Sequence, residues 1–304
     1  MAYEAGARFY KLSGSGNDFV VFDHRGGGEV DLPDPATVRR LCRRGEGVGA
    51  DGLLLLRDEP GFDYRLIYYN ADGSRADLCG NATLCGVRLA VELGEGGGPG
   101  EGKGTDAGTE LRFLTDAGAM RGRMRTPTRP EIDLAPVTEL IPDRSELWEL
   151  AGGAAPDEER MGFAVAGVPH LVVLCDDASA VPLTERAPGL RCHPALPHGA
   201  NVNYVSRGAR AAEGDGGHEW EMRTFERGVE AETLACGTGA VATALLLTRW
   251  QVDGASGTGE GTPVRLRTRS GRLLEVSLRE EGGELHPSLS GEARIVYRGE
   301  LVEG

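Results

Sequence analysis

Two cysteines of this chain stand where chemistry could use a thiol. Cys236 opens Cys236-Gly237-Thr238-Gly239 and precedes an unbroken apolar run over residues 240–247. Cys79 opens Cys79-Gly80-Asn81 and precedes a mixed apolar segment that stops at Gly94. Each of these segments reads as the start of a helix, where unpaired backbone N–H groups and the positive end of the dipole favour negative charge. A thiol placed there ionises more easily than a free one. Inverting the stereocentre of a carbon acid without a cofactor requires one group to take the proton and an opposed group to deliver another to the far face. Two helix starts, one in each half of the chain, supply such a pair if two similar lobes face each other across a cleft. Their N–H groups would then hold a carboxylate and the negative charge that develops on it.

The elements around these thiols follow from periodicity. Trp220, Met222 and Thr224 alternate with Glu221, Arg223 and Phe225 as in a strand, which ends at the polar turn Glu226-Arg227-Gly228. The apolar segment after Cys236 has no polar face, so it is expected to be enclosed by sheet. Residues 8–23 read as strand, turn and strand, and the glycines at 14 and 16 belong to that hairpin rather than to a nucleotide loop, since no helix follows. Asp34-Pro35 marks a short helix through Arg44. Further strands are expected at 53–56, 64–69, 110–114, 120–126, 162–166, 171–174, 264–269, 273–278 and 293–297, with a strand opening at Asn201 and a short helix near Leu183. The glycine-rich residues 94–108 read as a surface loop. Many short strands with one long helix per half favour an α+β fold, an antiparallel sheet wrapped around a helix in each of two lobes. Pro127 and Pro130 break the pattern. They set the expected boundaries: residues 1–126 as the lobe carrying Cys79, joined by the closing strand within 291–304, and residues 127–290 as the lobe carrying Cys236.

Bulk composition narrows the function. With 304 residues the chain is long enough for two ordinary domains, and a net charge of −14 with a pI of about 5.0 argues against nucleic acid or an anionic membrane as partner. No apolar run approaches the ~20 residues needed to cross a bilayer, and the N-terminus lacks a signal-peptide pattern, so a cytoplasmic protein is expected. Six cysteines without C-x-x-C spacing suit neither a disulfide scaffold nor a zinc site, and no metal is expected. Cys42, Cys175 and Cys192 read as buried apolar residues. Among 33 basic residues only Lys11 and Lys103 are lysines, which disfavours a pyridoxal-phosphate Schiff base.

The residues GSGNDF (14–19), NADGS (70–74), CGN (79–81), PH (169–170), NV (201–202), ERG (226–228), TLACGTGA (233–240) and SGEAR (290–294), in this order, resemble the diaminopimelate epimerase family. The resemblance covers nearly the whole chain and implies two similar lobes, each an antiparallel barrel around a central helix. It implies epimerisation of LL- to meso-diaminopimelate, a step of lysine and peptidoglycan precursor synthesis, with no cofactor and in a homodimer. By the same resemblance Cys79 and Cys236 are the acid–base pair, and the backbones of Gly80, Asn81, Gly237 and Thr238 hold the reacting carboxylate. Asn17, Asn70, Asn201 and Arg227, with Glu226 beside them, bind the distal amino-acid group, and His170 tunes the thiols.

Three positions depart from the pattern: Val168 where the family often has Asn, Leu84 where the first helix usually carries Arg, and Gly52 where some members have Gln. They bear on the substrate more than on the reaction. Alternatives are a racemase of another amino acid such as histidine, a single-base dehydratase or isomerase of the same fold, and a ligand-binding protein whose thiols form a reversible disulfide.

Overall fold

The computed structural model describes residues 3–28, 30–94, 108–150, 152–210, 218–252 and 263–302. Lys103 and nearly all of the glycine-rich segment lie outside them. The chain divides into two units, Met1–Asp133 with Ser290–Gly304, and Leu134–Leu289.

In the first unit β1 (Arg8–Gly14) and β2 (Asn17–Asp23) form the expected hairpin. α1 (Pro35–Cys42) follows, its first amides at Ala36 and Thr37 accepted by the Asp34 carboxylate at 2.8 and 3.1 Å. Next come β3 (Gly52–Arg57), β4 (Tyr64–Asn70), β5 (Arg75–Ala76) and α2 (Gly80–Leu93), then β6 (Glu110–Thr115), β7 (Gly118–Thr126) and β8 (Arg129–Asp133). The chain's last strand, Ala293–Glu300, pairs antiparallel with β1. α2 packs against β1, β2, β3, β4, β7, β8 and that last strand, and all its residues but Arg88 and Glu92 are buried. A helix surrounded in this way needs no polar face.

The second unit runs β9 (Leu140–Ile141), α3 (Leu147–Leu150), β10 (Glu158–Ala166), β11 (Val168–Cys175), α4 (Leu183–Arg191), β12 (Asn201–Arg210), β13 (His218–Glu226), β14 (Ala231–Thr233), α5 (Gly237–Arg249), β15 (Val264–Arg267), β16 (Leu273–Glu281) and β17 (Glu284–Gly291), after which the last strand is β18. Only Thr238, Thr248 and Arg249 of α5 escape full burial, and the helix packs on β10, β11, β12 and β16. Trp220, Met222 and Thr224 of β13 all point inward.

The two units repeat one order of elements and one pattern of pairing. β1–β2 and β10–β11 are antiparallel; β2–β3 and β11–β12 are parallel; β3–β4 and β12–β13 are antiparallel; β4–β6 and β13–β15 are parallel. The parallel pairs qualify the antiparallel sheet read from the sequence. Each is bridged by a helix, α1, α2, α4 or α5, because parallel neighbours need a crossover connection. The registers align residue with residue. Phe19 pairs with Gly52 as His170 pairs with Asn201, and Leu54 pairs with Tyr68 as Asn203 pairs with Thr224. Two sequence expectations change. Pro130 lies inside β8, beside a register irregularity at Met124 and Thr126 that tolerates its missing N–H. Cys192, expected to be buried, is exposed where α4 ends, next to the Arg191 guanidinium at 3.5 Å.

Candidate active site

Both predicted helix starts are present, each with its cysteine as the N-cap in extended conformation (φ −135° and ψ 117° at Cys79, φ −126° and ψ 109° at Cys236). Their surroundings differ. The Cys236 thiol is buried and accepts the Gly239 N–H at 3.4 Å, with the Thr238 hydroxyl at 3.6 Å. Cys79 is half-buried, and its side chain does not cap α2. The buried thiols elsewhere are poor acids: burial pushes Cys42 up to about 11 and Cys175 up to about 12, and holds Cys85 well above its ordinary value.

Around Cys236 the side chains form a directed chain of hydrogen bonds. The Asn203 amide nitrogen donates to the Leu171 carbonyl at 2.9 Å and lies 3.2 Å from His170 Nδ1, while the Thr224 hydroxyl donates to Asn203 Oδ1 at 2.9 Å. A carbonyl only accepts, so Leu171 determines which end of the amide is nitrogen. His170 Nδ1 must then accept, and the ring proton sits on Nε2. Nε2 donates to the Thr238 hydroxyl at 3.0 Å, whose own hydrogen is left for the Cys236 sulfur. His170 stays neutral, because complete burial, aided by the Arg227 charge, pushes it down to about 3.

Glu226, grouped with the distal-site residues in the sequence, turns its carboxyl to Thr233, whose hydroxyl donates at 2.6 Å, and interacts with the Cys236 thiol. Burial raises its pKa, opposed in part by those two interactions. A half-buried carboxylate beside a thiol is suited to receive the thiol's proton. Asn201 accepts the Arg227 backbone N–H at 2.7 Å through Oδ1, which leaves its amide nitrogen to donate, and the half-buried Arg227 guanidinium gives one N–H to the His198 carbonyl at 2.7 Å. Val168 is the half-buried first residue of β11.

In the first unit Asn17 begins β2. Its amide nitrogen donates to Asp51 Oδ2 at 3.1 Å, and its oxygen accepts from the Asn81 amide at 2.8 Å, which ties it to the first turn of α2. Asp51 also accepts from the Asp18 backbone and pairs with Arg44 at 2.7 Å. Lys11 is spent on Asp18 at 2.8 Å and on the Gly49 carbonyl. Asn70 ends β4 and opens the turn to α2; its amide nitrogen donates to the Ser74 hydroxyl at 3.0 Å, and its oxygen accepts from the Tyr68 hydroxyl at 2.9 Å. Leu84 is fully buried in α2. Gly80 and Gly237 are the first residues of the two helices.

Asp51, Tyr68, Asn203 and Thr233 escape a reading of the sequence. For Asn203 a signal existed: it follows Asn201 by two in a strand, so both point to one face, and a polar pair on an inward face asks for partners.

The family model described as diaminopimelate epimerase matches residues 9–120 and 163–296. A protein of Gemmatimonas aurantiaca named diaminopimelate epimerase is 44% identical over 304 residues, covering 97% of this chain and 99% of the relative. One from Aquifex aeolicus with the same name is 35% identical, covering 97% and 98%. Among solved structures, a phenazine biosynthesis protein of the PhzF family from Bacillus anthracis superposes with a TM-score of 0.68 at 14% identity, over 97% of this chain and 98% of the other. A probable proline racemase from Agrobacterium radiobacter gives 0.62 at 17% identity, over 97% and 92%. These two share the fold; the sequence relatives, nearly full length and well above 30% identity, place the chain in the diaminopimelate epimerase family.

Proposed function

We propose that the protein interconverts LL- and meso-diaminopimelate without a cofactor, Cys79 and Cys236 serving as acid and base. The observation that carries this reading is the repeated helix start, one cysteine at the same place in each unit. Glu226 takes the Cys236 proton, and the Gly239 N–H and the Thr238 hydroxyl hold the thiolate that remains. That thiolate removes the α-proton from one face of the substrate, and the Cys79 thiol gives a proton to the other; the reverse direction exchanges the roles. Backbone N–H groups of Gly80, Asn81, Gly237 and Thr238 bind the α-carboxylate, on which charge grows as the proton leaves. Asn17, Asn70, Asn201 and Arg227 read the distal amino-acid group, an arginine fork being suited to its carboxylate.

The reaction belongs to lysine and peptidoglycan precursor synthesis in the cytoplasm. Among the described residues no helix is long and apolar enough to cross a membrane. A homodimer is supported by β18, where Val296 and Tyr297 are 57% and 47% exposed side by side.

Proton NMR of LL-diaminopimelate in deuterium oxide with reduced protein tests the function. Loss of the α-proton signal with formation of the meso isomer is expected. Signals that persist while the thiols are free would overturn the substrate assignment and turn attention to amino acids without a distal carboxylate, with Val168 the first residue to exchange. Cys79→Ala and Cys236→Ala are each expected to abolish turnover with the fold intact; substantial turnover in either would end the two-base mechanism.

A further inference from the structure

Gly52 and Tyr68 form a unit that neither residue suggests alone. Gly52 lies directly across from Asn70 in the β3–β4 pair, and Tyr68 stands two residues before Asn70 on the same face of β4. A Cβ at position 52 would come within 2.6 Å of Tyr68 Cε2 and 2.7 Å of the Tyr69 carbonyl oxygen, so the phenol ring occupies the space that a side chain there would fill. The ring also packs edge-on with Phe19 at 6.2 Å between centroids, which helps to hold it in place. From this seat its hydroxyl donates to Asn70 Oδ1 at 2.9 Å.

The rest of the Asn70 amide is held just as definitely. Ser74 gives its hydroxyl hydrogen to Asp72 at 2.6 Å, so its oxygen is left to accept from the Asn70 nitrogen at 3.0 Å. The chain Tyr68 to Asn70 to Ser74 to Asp72 therefore has one direction, and it leaves Asn70 with one N–H and one oxygen lone pair to offer outward.

The second unit shows the alternative. At the place of Gly52 it carries Asn201, at the place of Tyr68 it carries the small Thr224, and at the place of Asn70 it carries Glu226. There the side chain at the start of the strand reaches the end of the neighbouring strand itself, accepting the Arg227 N–H. In the first unit the ring from across the pair does that work.

We propose that Tyr68 is the positioning residue that orients Asn70 for the distal amino-acid group of the substrate, and that Gly52 is what admits it. This rests on the diaminopimelate reading only for the ligand. The test compares wild type, Tyr68→Phe, Gly52→Ala and the double variant. Tyr68→Phe keeps the ring and loses the hydroxyl; KM for diaminopimelate is expected to rise about fivefold to tenfold, the loss of one hydrogen bond, with kcat within about twofold and Tm unchanged. Gly52→Ala, by displacing the ring, is expected to raise KM by a similar factor, and the double variant no further. An unchanged KM in Tyr68→Phe, or kcat and Tm falling together, would overturn the proposal. Should the wild type fail to turn over diaminopimelate, the substrate reading falls and the positioning claim is still decided. The Asn70 side-chain amide resonances in a 15N–1H spectrum are expected to shift in Tyr68→Phe, and unmoved resonances would overturn it.

Discussion

His170 is fully buried and held between an amide and a hydroxyl, and both circumstances have measurable consequences. Its imidazole ionises in the folded protein only near pH 3, against an ordinary 6.5. An unfolded chain binds that proton near pH 6.5. Its share of stability is therefore complete above pH 6.5 and is lost, at roughly 1.4 kcal/mol per pH unit, as pH falls towards 3. Urea denaturation across this window is expected to show that slope in the wild type and one proton less of it in His170→Asn; parallel curves would mean an imidazole that titrates normally. Asn203→Ala removes the donor that keeps the ring proton on Nε2. Turnover is expected to fall about tenfold or more, and stability by about 1–3 kcal/mol, since Thr224 and His170 lose a buried partner. The 15N shifts of the His170 ring separate the two effects: a mixture of tautomers in the variant supports the relay, whereas an unchanged Nε2–H form would leave Asn203 with packing alone.

At the scale of the element, the start of α5 is built around Gly239. A Cβ there would lie 2.4 Å from Asn203 Oδ1 and 3.3 Å from the Cys236 sulfur. By propensity alone alanine favours a helix over glycine, by up to about 1 kcal/mol. Gly239→Ala is nevertheless expected to lower turnover on the order of tenfold or more, because Asn203 must move and the ring it holds moves with it. A variant with wild-type kinetics would show that the helix start has room to spare. Most elements were legible as periodicity: the inward alternation of β13, the wholly apolar α5 and the Asp34-Pro35 cap each follow from local rules. β5, β8, β9, α3, β14 and β17 were not. β14 is three residues long, and β17, ELHPSLSG, mixes polar residues and a proline into buried positions, so no period of two appears along it.

Over the whole molecule, the repeat of pairing senses explains why two short motifs recur so far apart: each unit needs one crossover helix in its middle, and the cysteine stands where that helix begins. Val296 and Tyr297 on β18 are among the large apolar side chains that the first unit leaves exposed. Light scattering during size exclusion is expected to give a dimer for the wild type and a shift towards monomer for Val296→Glu with Tyr297→Glu. A dimer that survives both changes would remove this strand from the interface.

By itself the sequence determined what depends on residue type and near neighbours: two thiols at helix starts, buried helices without a polar face, strands by alternation, and turns at Asn70 and Glu226. The order of the motifs also identified the family. Only the tertiary structure decided which side chains meet. Glu226 interacts with Cys236 ten residues on, Asn203 sets the proton of a ring on another strand, and Tyr68 reaches Asn70 because position 52 has no side chain. Strand register brings Asn203 to His170 and Gly52 to Tyr68 from distant parts of the chain, and no local pattern of residue types encodes those meetings.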